Sequence, residues 1–324
     1  MSLRVENLTV EIAARSGILR PVSDVSFEIQ PGEVLGLVGE SGAGKSMTGS
    51  ALIGLLEPPA SISRGEIWLD DERIDTLNAE QLRQVRGRRI GSVFQDPQTS
   101  LHPLFQIGKQ LEDTILAHLP VDRREARRRA LELMREVGIA QPEQRIDDYP
   151  HQFSGGMRQR IVIALALAAE PRIIIADEPT TALDMSIQAQ ILSLLRRLAT
   201  ERRMSMLLIT HDLGVIAQLA DRVAVIYAGR IIEIGSVAQI LHAPLHPYSQ
   251  RLLGCIPRIG TRPDRLTQIS GSMPRPESIP EGCAFRPRCL SAHERCTERP
   301  QLTAHGDGAV ACWLQVPDQV PDHV

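Results

Sequence analysis

The sequence predicts an α/β fold built on a central parallel sheet, and three features of the chain indicate it. Short apolar segments typical of strands recur along the sequence, with helical patterns between several of them. Residues 173–176 are apolar on both faces, as in a strand buried within a parallel sheet. Residues 34–38, another apolar strand, run directly into a glycine-rich turn and then into a helix. Strands and helices that alternate in this way pack as layers around one sheet.

The composition is that of an ordinary globular protein. The 324 residues, 43% hydrophobic and 23% charged, allow one large domain or two smaller ones with a sizeable core. The net charge of −3 disfavours a dedicated nucleic-acid binder, which is usually basic. The longest apolar run, residues 161–169, is far shorter than the roughly 20 residues of a membrane-spanning helix. The N-terminal residues lack the layout of a secretory signal, so we expect a cytoplasmic protein that meets membranes through a partner.

The predicted strands flank a long helical region. A helix is predicted over residues 45–56, directly after the glycine-rich turn. Residues 97–149 have almost no strand signal, which indicates a helical insertion in the α/β domain. The predicted strands are residues 3–10, 22–29, 34–38, 66–69, 90–94, 173–176, 206–210, 223–227 and 231–234.

Residues 123–137 have the clearest amphipathic pattern of the helical insertion. Five of the seven residues from Arg123 to Arg129 are arginine. A solvated helix face is the simpler interpretation of these charges, and a nucleic-acid patch is the alternative. The apolar positions that we expect to face the core are Ala126, Ala130, Leu131, Leu133 and Met134.

The glycine-rich turn, residues 39–46, reads Gly-Glu-Ser-Gly-Ala-Gly-Lys-Ser and has both the pattern and the context of a phosphate-binding loop. Its three glycines allow the tight turn that brings backbone N–H groups against phosphate. Lys45 supplies a positive charge to the β- and γ-phosphates, and Ser46 offers a hydroxyl to Mg²⁺. The turn therefore predicts an ATP site. The predicted nucleotide-binding residues are Gly39, Ser41, Gly42, Ala43, Gly44, Lys45, Ser46 and Met47.

The strand at residues 173–176 ends in two adjacent carboxylates. Asp177 is placed to hold Mg²⁺, directly or through water, as the acidic partner of a phosphate loop does. Glu178 is placed to accept a proton from the attacking water. An acidic pair after an apolar strand is by itself a common turn. Together with Lys45 and Ser46, it indicates the second half of the ATP site.

Residues 153–160, Phe-Ser-Gly-Gly-Met-Arg-Gln-Arg, resemble the signature motif of ABC ATPases. Ser154 stands 23 residues before Asp177, a spacing normal in that family. A serine N-cap, two glycines and a helix N-terminus suit contact with phosphate. Three further motifs follow the family order: Gln95 resembles the Q-loop glutamine, Ala182-Leu183-Asp184 resembles the D-loop, and His211 resembles the switch histidine.

The resemblance implies a P-loop NTPase (RecA-like) core with an antiparallel β subdomain and an α-helical subdomain. It implies an ATPase domain at residues 1–235, with the helical subdomain at about 97–160, and a small cysteine-rich C-terminal extension at 236–324. Two such subunits would sandwich ATP, with Mg²⁺, and hydrolyse it. The implied roles are catalysis by Glu178, His211 and Gln95, Mg²⁺ binding by Ser46, Gln95 and Asp177, and nucleotide binding from the opposing chain by Ser154, Gly155, Gly156 and Asp184.

One position departs from the ABC pattern. Many members place an aromatic residue, which stacks on adenine, some 25–35 residues before the lysine. That position is near Ile12 here, and no aromatic residue precedes Phe27. An aliphatic side chain lacks the π face that stacking uses. The affinity for the base and the preference for ATP over GTP therefore stay open.

Three segments resemble the dipeptide/oligopeptide (peptide/nickel) importer group of ABC ATPases. They are the run from Gln95 to Pro103, with His102 where the group commonly has Asn, the Met157 that ends the signature, and His246-Pro247-Tyr248. This resemblance implies a peripheral subunit at the cytoplasmic face of the membrane that drives uptake of di-/oligopeptides or related solutes. The implied partners are a second ATPase subunit, which is a different chain or a copy, two permeases and, indirectly, an extracytoplasmic solute-binding protein. Nucleic acid is not an expected partner.

Four of the five cysteines lie near the C-terminus, at Cys283, Cys289, Cys296 and Cys312. In a reducing cytoplasm such a group indicates a metal site rather than disulfides. The family resemblance implies a [4Fe–4S] cluster, for which four soft thiolates are suitable donors. Zinc and unmetallated thiols are the alternatives. We expect a structural clip for the proline-rich tail rather than electron transfer.

Two other classes of function compete with import. Non-transport ABC proteins of DNA repair or translation usually have long coiled-coil insertions, zinc modules or two tandem ATPase domains. This chain has one phosphate loop and one signature. A regulatory subunit without ATPase activity would not need Glu178 and His211.

Overall fold

A computed structural model describes residues 1–15, 17–181, 183–256 and 268–316. The β-strands are β1 (Leu3–Ala14), β2 (Gly17–Ile29), β3 (Val34–Val38), β4 (Ala60–Leu69), β5 (Glu72–Arg73), β6 (Ile90–Val93), β7 (Ile173–Asp177), β8 (Ser205–Thr210), β9 (Arg222–Tyr227), β10 (Arg230–Ser236), β11 (Thr303–His305) and β12 (Gly308–Val310). The α-helices are α1 (Lys45–Leu52), α2 (Ala79–Val85), α3 (Pro97–Ser100), α4 (Ile107–His118), α5 (Arg123–Glu136), α6 (Pro142–Arg145), α7 (Gly155–Leu167), α8 (Met185–Arg202), α9 (Leu213–Leu219), α10 (Val237–His242) and α11 (Pro247–Gly254). The 3₁₀-helices are Pro150–Gln152, Pro276–Ser278, Arg286–Arg288, Glu294–Thr297 and Trp313–Gln315.

The central sheet has eight strands in the order β11-β12-β10-β9-β3-β8-β7-β6. Strands β9, β3, β8, β7 and β6 are parallel to one another, and every residue of β3 is buried. Both faces of this part are covered, as parallel strands require. Because the carboxyl ends of parallel strands share one edge, the loops after β3, β6, β7 and β8 converge there. The α/β fold is confirmed.

A second, antiparallel sheet has the order β2-β1-β4-β5. Its inner residues, such as Leu3, Val10 and Ile67, join one apolar core with the α1 face of the central sheet. Strand β1 runs four residues beyond the predicted strand, to Ala14, because its end pairs with β2 in a hairpin.

The predicted helical insertion, residues 97–149, contains α3 to α6, and α7 follows it before β7. Helix α5 buries its predicted apolar positions, except for Leu131, which is half-buried. Its arginines point outward, and three of them, Arg127, Arg128 and Arg129, pair with acidic side chains. The paired charges fit the solvated-face interpretation of this arginine-rich segment.

The C-terminal region packs on the central sheet. Strand β12 pairs antiparallel with β10, through Val310 opposite Glu233 and Ala309 opposite Ile234. Phe285 is 1% exposed and joins the main core. The predicted boundary between 235 and 236 therefore falls within one continuous sheet, at the end of β10. Within the described ranges, no helix is long and apolar enough to cross a bilayer.

Candidate functional site

The phosphate loop joins β3 to α1. Its glycines have backbone conformations or close contacts that residues with a side chain would not tolerate. Gly42 and Gly44 have φ of +81° and +99°, in the left-handed region. A Cβ at Gly39 would lie 2.3 Å from the backbone oxygen of Ile226. Helix α1 begins at Lys45 without a side-chain cap, so its first N–H groups stay available to an anion.

Lys45 is buried within the loop, with 6% of its surface exposed. Its Nζ donates to the backbone oxygens of Gly39 at 2.8 Å and Glu40 at 3.0 Å. Burial lowers the pKa of Lys45, and the carboxylates of Glu178 and Asp177 oppose this shift. The ammonium therefore lies within the electrostatic reach of both site carboxylates.

Asp177, at the end of β7, fits the predicted role of a magnesium ligand. Its Oδ1 is buried and has no hydrogen-bond partner. Burial raises the pKa of Asp177, while a hydrogen bond from Ser46 acts in the opposite direction. A buried carboxylate oxygen without a partner costs free energy. A cation held between Asp177 and Ser46 would remove that cost.

Glu178 is the meeting point of the predicted catalytic residues. His211 Nδ1 lies 3.0 Å from Oε1, and Gln95 Nε2 donates to Oε2 at 3.3 Å. Thr181 Oγ1 donates to Oε2 at 2.7 Å. Burial pushes the pKa of Glu178 upward, but the hydrogen bonds from Thr181 and His211 outweigh it, so the pKa lies below its usual value. The side chain is therefore an ionised, oriented carboxylate, which is what a general base requires.

The signature segment lies apart from the phosphate loop. Ser154 is exposed and caps α7, accepting a hydrogen bond from the backbone N–H of Met157. Asp184 caps α8 and accepts from the backbone N–H groups of Ser186 and Ile187. In the described ranges no hydrogen bond or ion pair joins Ser154, Gly155, Gly156 or Asp184 to residues 39–46. Ala182 lies outside the described residues.

Two segments of the chain match known families. Residues 22–181 match the ABC transporter family, and residues 232–296 match the C-terminal region of oligopeptide/dipeptide transporters. The first match includes the phosphate loop, Gln95, the signature and both carboxylates. The dipeptide transport ATP-binding protein DppD of Bacillus subtilis is 46% identical over 324 residues, which cover 99% of this chain and 96% of that protein.

This chain belongs to the ABC transporter family of ATP-binding proteins.

Other relatives of this ABC ATPase support the same family assignment. The oligopeptide transport ATP-binding protein OppD of Haemophilus influenzae is 43% identical over 313 residues, which cover 96% of this chain and 97% of that protein. Among solved structures, a dimeric ATP-binding cassette in a post-hydrolysis state with ADP and Pi superimposes with a TM-score of 0.65 and 29% identity. The superposition covers 72% of this chain and 98% of the solved cassette. The ABC prediction and the assignment as an ATPase are confirmed.

The four C-terminal cysteines of this ABC ATPase come near one another. Cys283 donates its backbone N–H to the oxygen of Cys296 at 3.0 Å. Burial raises the pKa of the Cys312 thiol to about 11, and its charged form is further disfavoured by Cys283, Cys289 and Cys296. All four are free thiols. Among the residues that the structure describes, no group of three or more His, Cys, Asp or Glu side chains is arranged to hold a metal ion.

Two residues that contact the site were not predicted to take part in it. Thr181 donates a hydrogen bond to Glu178. It stands two residues before Leu183 and belongs to none of the motifs recognised in the sequence. Glu40, the second residue of the phosphate loop, is bound by the C-terminal region through Tyr248 and Arg288. Ile12, at the position of the family's aromatic, lies in the β1–β2 hairpin opposite Leu19.

Proposed function

We propose that this ABC ATPase is the motor subunit of an importer for di-/oligopeptides or related small solutes. The observation that supports it most is the presence of an assembled ATP site and a C-terminal region of the oligopeptide/dipeptide transporter type in one chain. Relatives that carry peptide or dipeptide transport names align over nearly the full chain. We place the protein at the cytoplasmic face of the membrane, because ATP is a cytoplasmic substrate.

In this proposal Glu178 takes the proton of the attacking water. His211 and Gln95 orient the carboxylate and the water, and Thr181 fixes the side-chain rotamer. Lys45 and the N–H groups at the start of α1 hold the phosphates. Ser46, Asp177 and Gln95 would hold Mg²⁺, which when bound neutralises phosphate charge. Residues 41–44 of the loop and Met47, in the first turn of α1, complete the proposed nucleotide site.

The proposed working unit contains two ATPase subunits arranged head to tail. Ser154, Gly155, Gly156 and Asp184 then contact the nucleotide bound to the opposing chain. Two observations support this: Ser154 is exposed, and these residues form no bond to their own phosphate loop. A similar cassette was solved as a dimer. The second subunit is proposed to be a different chain with its own ATP site.

The proposed contact with two permease subunits lies between the α/β core and the helical region. A groove with a volume of about 280 Å³ is lined there by Leu55, Phe94, Val162 and Leu165, among others. Phe94, Leu104 and Phe105 are exposed nearby in the chain. Exposed apolar side chains of this size are typical of interaction sites. Because Phe94 precedes Gln95, movement at this surface is linked directly to the ATP site. A solute-binding protein outside the cell would act through the permeases.

We propose a [4Fe–4S] cluster at Cys283, Cys289, Cys296 and Cys312. Four thiols within electrostatic range of each other are a suitable donor set. The pKa of Cys312 is raised first by burial and further by Cys283, Cys289 and Cys296, which places the four thiols near one another. The thiolates of these four cysteines would hold the cluster, which would join separate parts of the extension. In this role the cluster would be a structural clip for the proposed extension, residues 236–324. The proposed ATPase domain is residues 1–235, with its helical subdomain at about 97–160.

Uptake of labelled peptides by cells that lack the gene tests the transport proposal. We expect uptake of a labelled dipeptide or pentapeptide to fall at least tenfold and to return with the wild-type gene, because the motor supplies the energy for import. A K45A gene should not restore it, whereas E201Q, which alters an exposed glutamate of α8, should. Unchanged uptake of both peptides after deletion would exclude peptides as the cargo.

A further inference from the structure

The C-terminal region contacts the phosphate loop at Glu40. Glu40 lies between Gly39 and Ser41, and its backbone oxygen accepts a hydrogen bond from Lys45 Nζ at 3.0 Å. The position of Glu40 therefore determines one of the two backbone anchors of the lysine that is predicted to contact the phosphates. A residue that holds Glu40 also acts on Lys45.

Arg288 binds the Glu40 carboxylate through both of its terminal nitrogens. Nη1 lies 3.0 Å from Oε1, and Nη2 lies 3.1 Å from Oε2. The arginine side chain is 6% exposed, and its Nε donates to the backbone oxygen of Ser270 at 2.9 Å. The Glu40 side chain is 27% exposed, so the pair is partly shielded from solvent. A partly buried bidentate pair is stronger and more directional than a fully exposed ion pair. Arg288 directly precedes Cys289, so this contact links the cysteine group to the ATP site.

Tyr248 of α11 holds the backbone of the same residue. Its hydroxyl accepts a hydrogen bond from the N–H of Glu40 at 3.0 Å. The ring is fully buried and packs against Tyr227, with centroids 4.7 Å apart, and against Phe285 at 5.4 Å. Aromatic packing on two sides leaves the hydroxyl little freedom. The carboxylate and the backbone of Glu40 are thus fixed by two separate parts of the C-terminal region.

The charge of Glu40 matters to phosphate binding. Burial lowers the pKa of Lys45, and the negative charge of Glu40 is one of three carboxylates that oppose this shift, so it acts on the ammonium inside the loop. An uncompensated carboxylate in a phosphate loop would repel the ATP phosphates. Arg288 places a positive charge directly on that carboxylate and removes most of this repulsion.

We propose that Arg288 and Tyr248 are positioning residues of the ATP site. Arg288 neutralises and orients the Glu40 carboxylate, and Tyr248 fixes the Glu40 backbone. Through these contacts the C-terminal region supports ATP binding in the same chain. The proposal depends on ATP binding alone and holds for any transported solute.

A mutant cycle on the full-length protein tests the role of Arg288, with the Kd of a fluorescent ATP analogue and Mg²⁺ as the measurement. R288Q leaves the Glu40 carboxylate unpaired, so we expect the Kd to rise about tenfold, the order of one lost charge-assisted bond. R286Q, at a neighbouring arginine without such a pair, is the matched control and should bind as the wild type does. The double variant E40Q/R288Q removes both charges and should recover most of the lost affinity.

The double variant separates charge compensation from a general structural role. If Arg288 only held the extension in place, E40Q/R288Q would bind as weakly as R288Q, and that result would overturn the proposal. Thermal unfolding checks that each variant is folded. Y248F removes one oxygen atom and keeps the packed ring, so it tests the second contact even where R288Q does not fold. We expect about threefold weaker binding for Y248F, and an unchanged Kd would contradict the role of Tyr248.

Discussion

At the scale of single residues, Glu178 is the group on which the proposed hydrolysis depends most. Its pKa is lowered because hydrogen bonds from Thr181 and His211 outweigh the effect of burial. A carboxyl group with a lowered pKa is ionised well below neutral pH, so Glu178 has the charge that the proposed base needs throughout the physiological range. Asp177 beside it has a raised pKa, caused first by burial. The two neighbouring carboxylates therefore have environments suited to different roles, one for a proton and one for a cation.

We predict that E178Q binds ATP but hydrolyses it at least about 100-fold more slowly than the wild type. Glutamine keeps the shape of the side chain and its contact with Thr181 but cannot take a proton, and a general base typically contributes a factor of this size. Phosphate release and binding of an ATP analogue, measured on the same preparation, separate the two effects. E201Q is the control and should keep wild-type turnover. Near-normal phosphate release by E178Q would assign the base to another group.

Motif order predicted most of this residue-level site. Gln95, Asp177, Glu178 and His211 lie at or just after the carboxyl end of a strand of the parallel sheet, so the fold brings them to one edge. The pair Arg288–Glu40 had no such signal, because its members are 248 positions apart and join different regions of the chain. A polar side chain with a distant partner looks like any surface charge in the sequence.

At the scale of elements, long apolar segments were predicted well and short polar ones were not. Strand β3 has the predicted bounds because all five of its residues are buried. Helix α1 ends at Leu52 rather than at residue 56, since Gly54 has a positive φ that ends the helix. Strands β11 and β12 were missed, because three-residue strands are too short to show alternation. Their pairing with β10 follows from the packing of the whole extension.

The four cysteines of the C-terminal extension determine which metal, if any, it binds. We predict that protein purified without oxygen is brown, absorbs near 400 nm and contains about four iron and four sulfide per chain, as a [4Fe–4S] cluster requires. Serine variants of Cys283, Cys289, Cys296 and Cys312 should lose iron, while C255S, at the half-buried cysteine after α11, should retain it. One zinc per chain without iron, or metal-free protein from the same preparation, would contradict the cluster.

At the scale of the whole molecule, a single chain contains half of each proposed active site. The phosphate loop and the carboxylates lie together, whereas Ser154 and Asp184 cap α7 and α8, and in the described ranges neither bonds to that loop. An enzyme divided in this way is active only when two subunits close, so hydrolysis is coupled to movement between them. The groove beside Phe94 lies next to Gln95, where that movement would reach a permease. In the proposed importer the cargo would be selected by other subunits, and neither this fold nor its ATP site identifies it.

The most direct test of the central claim is an affinity purification of E178Q with ATP from the membranes of its own host, without oxygen, with partners identified by mass spectrometry. Slow hydrolysis should hold the closed assembly together during the experiment. We predict recovery of two permeases with several membrane spans, together with a second ATPase subunit. Recovery of soluble partners or nucleic acid alone would leave an active ABC ATPase and contradict its role as the motor of an importer.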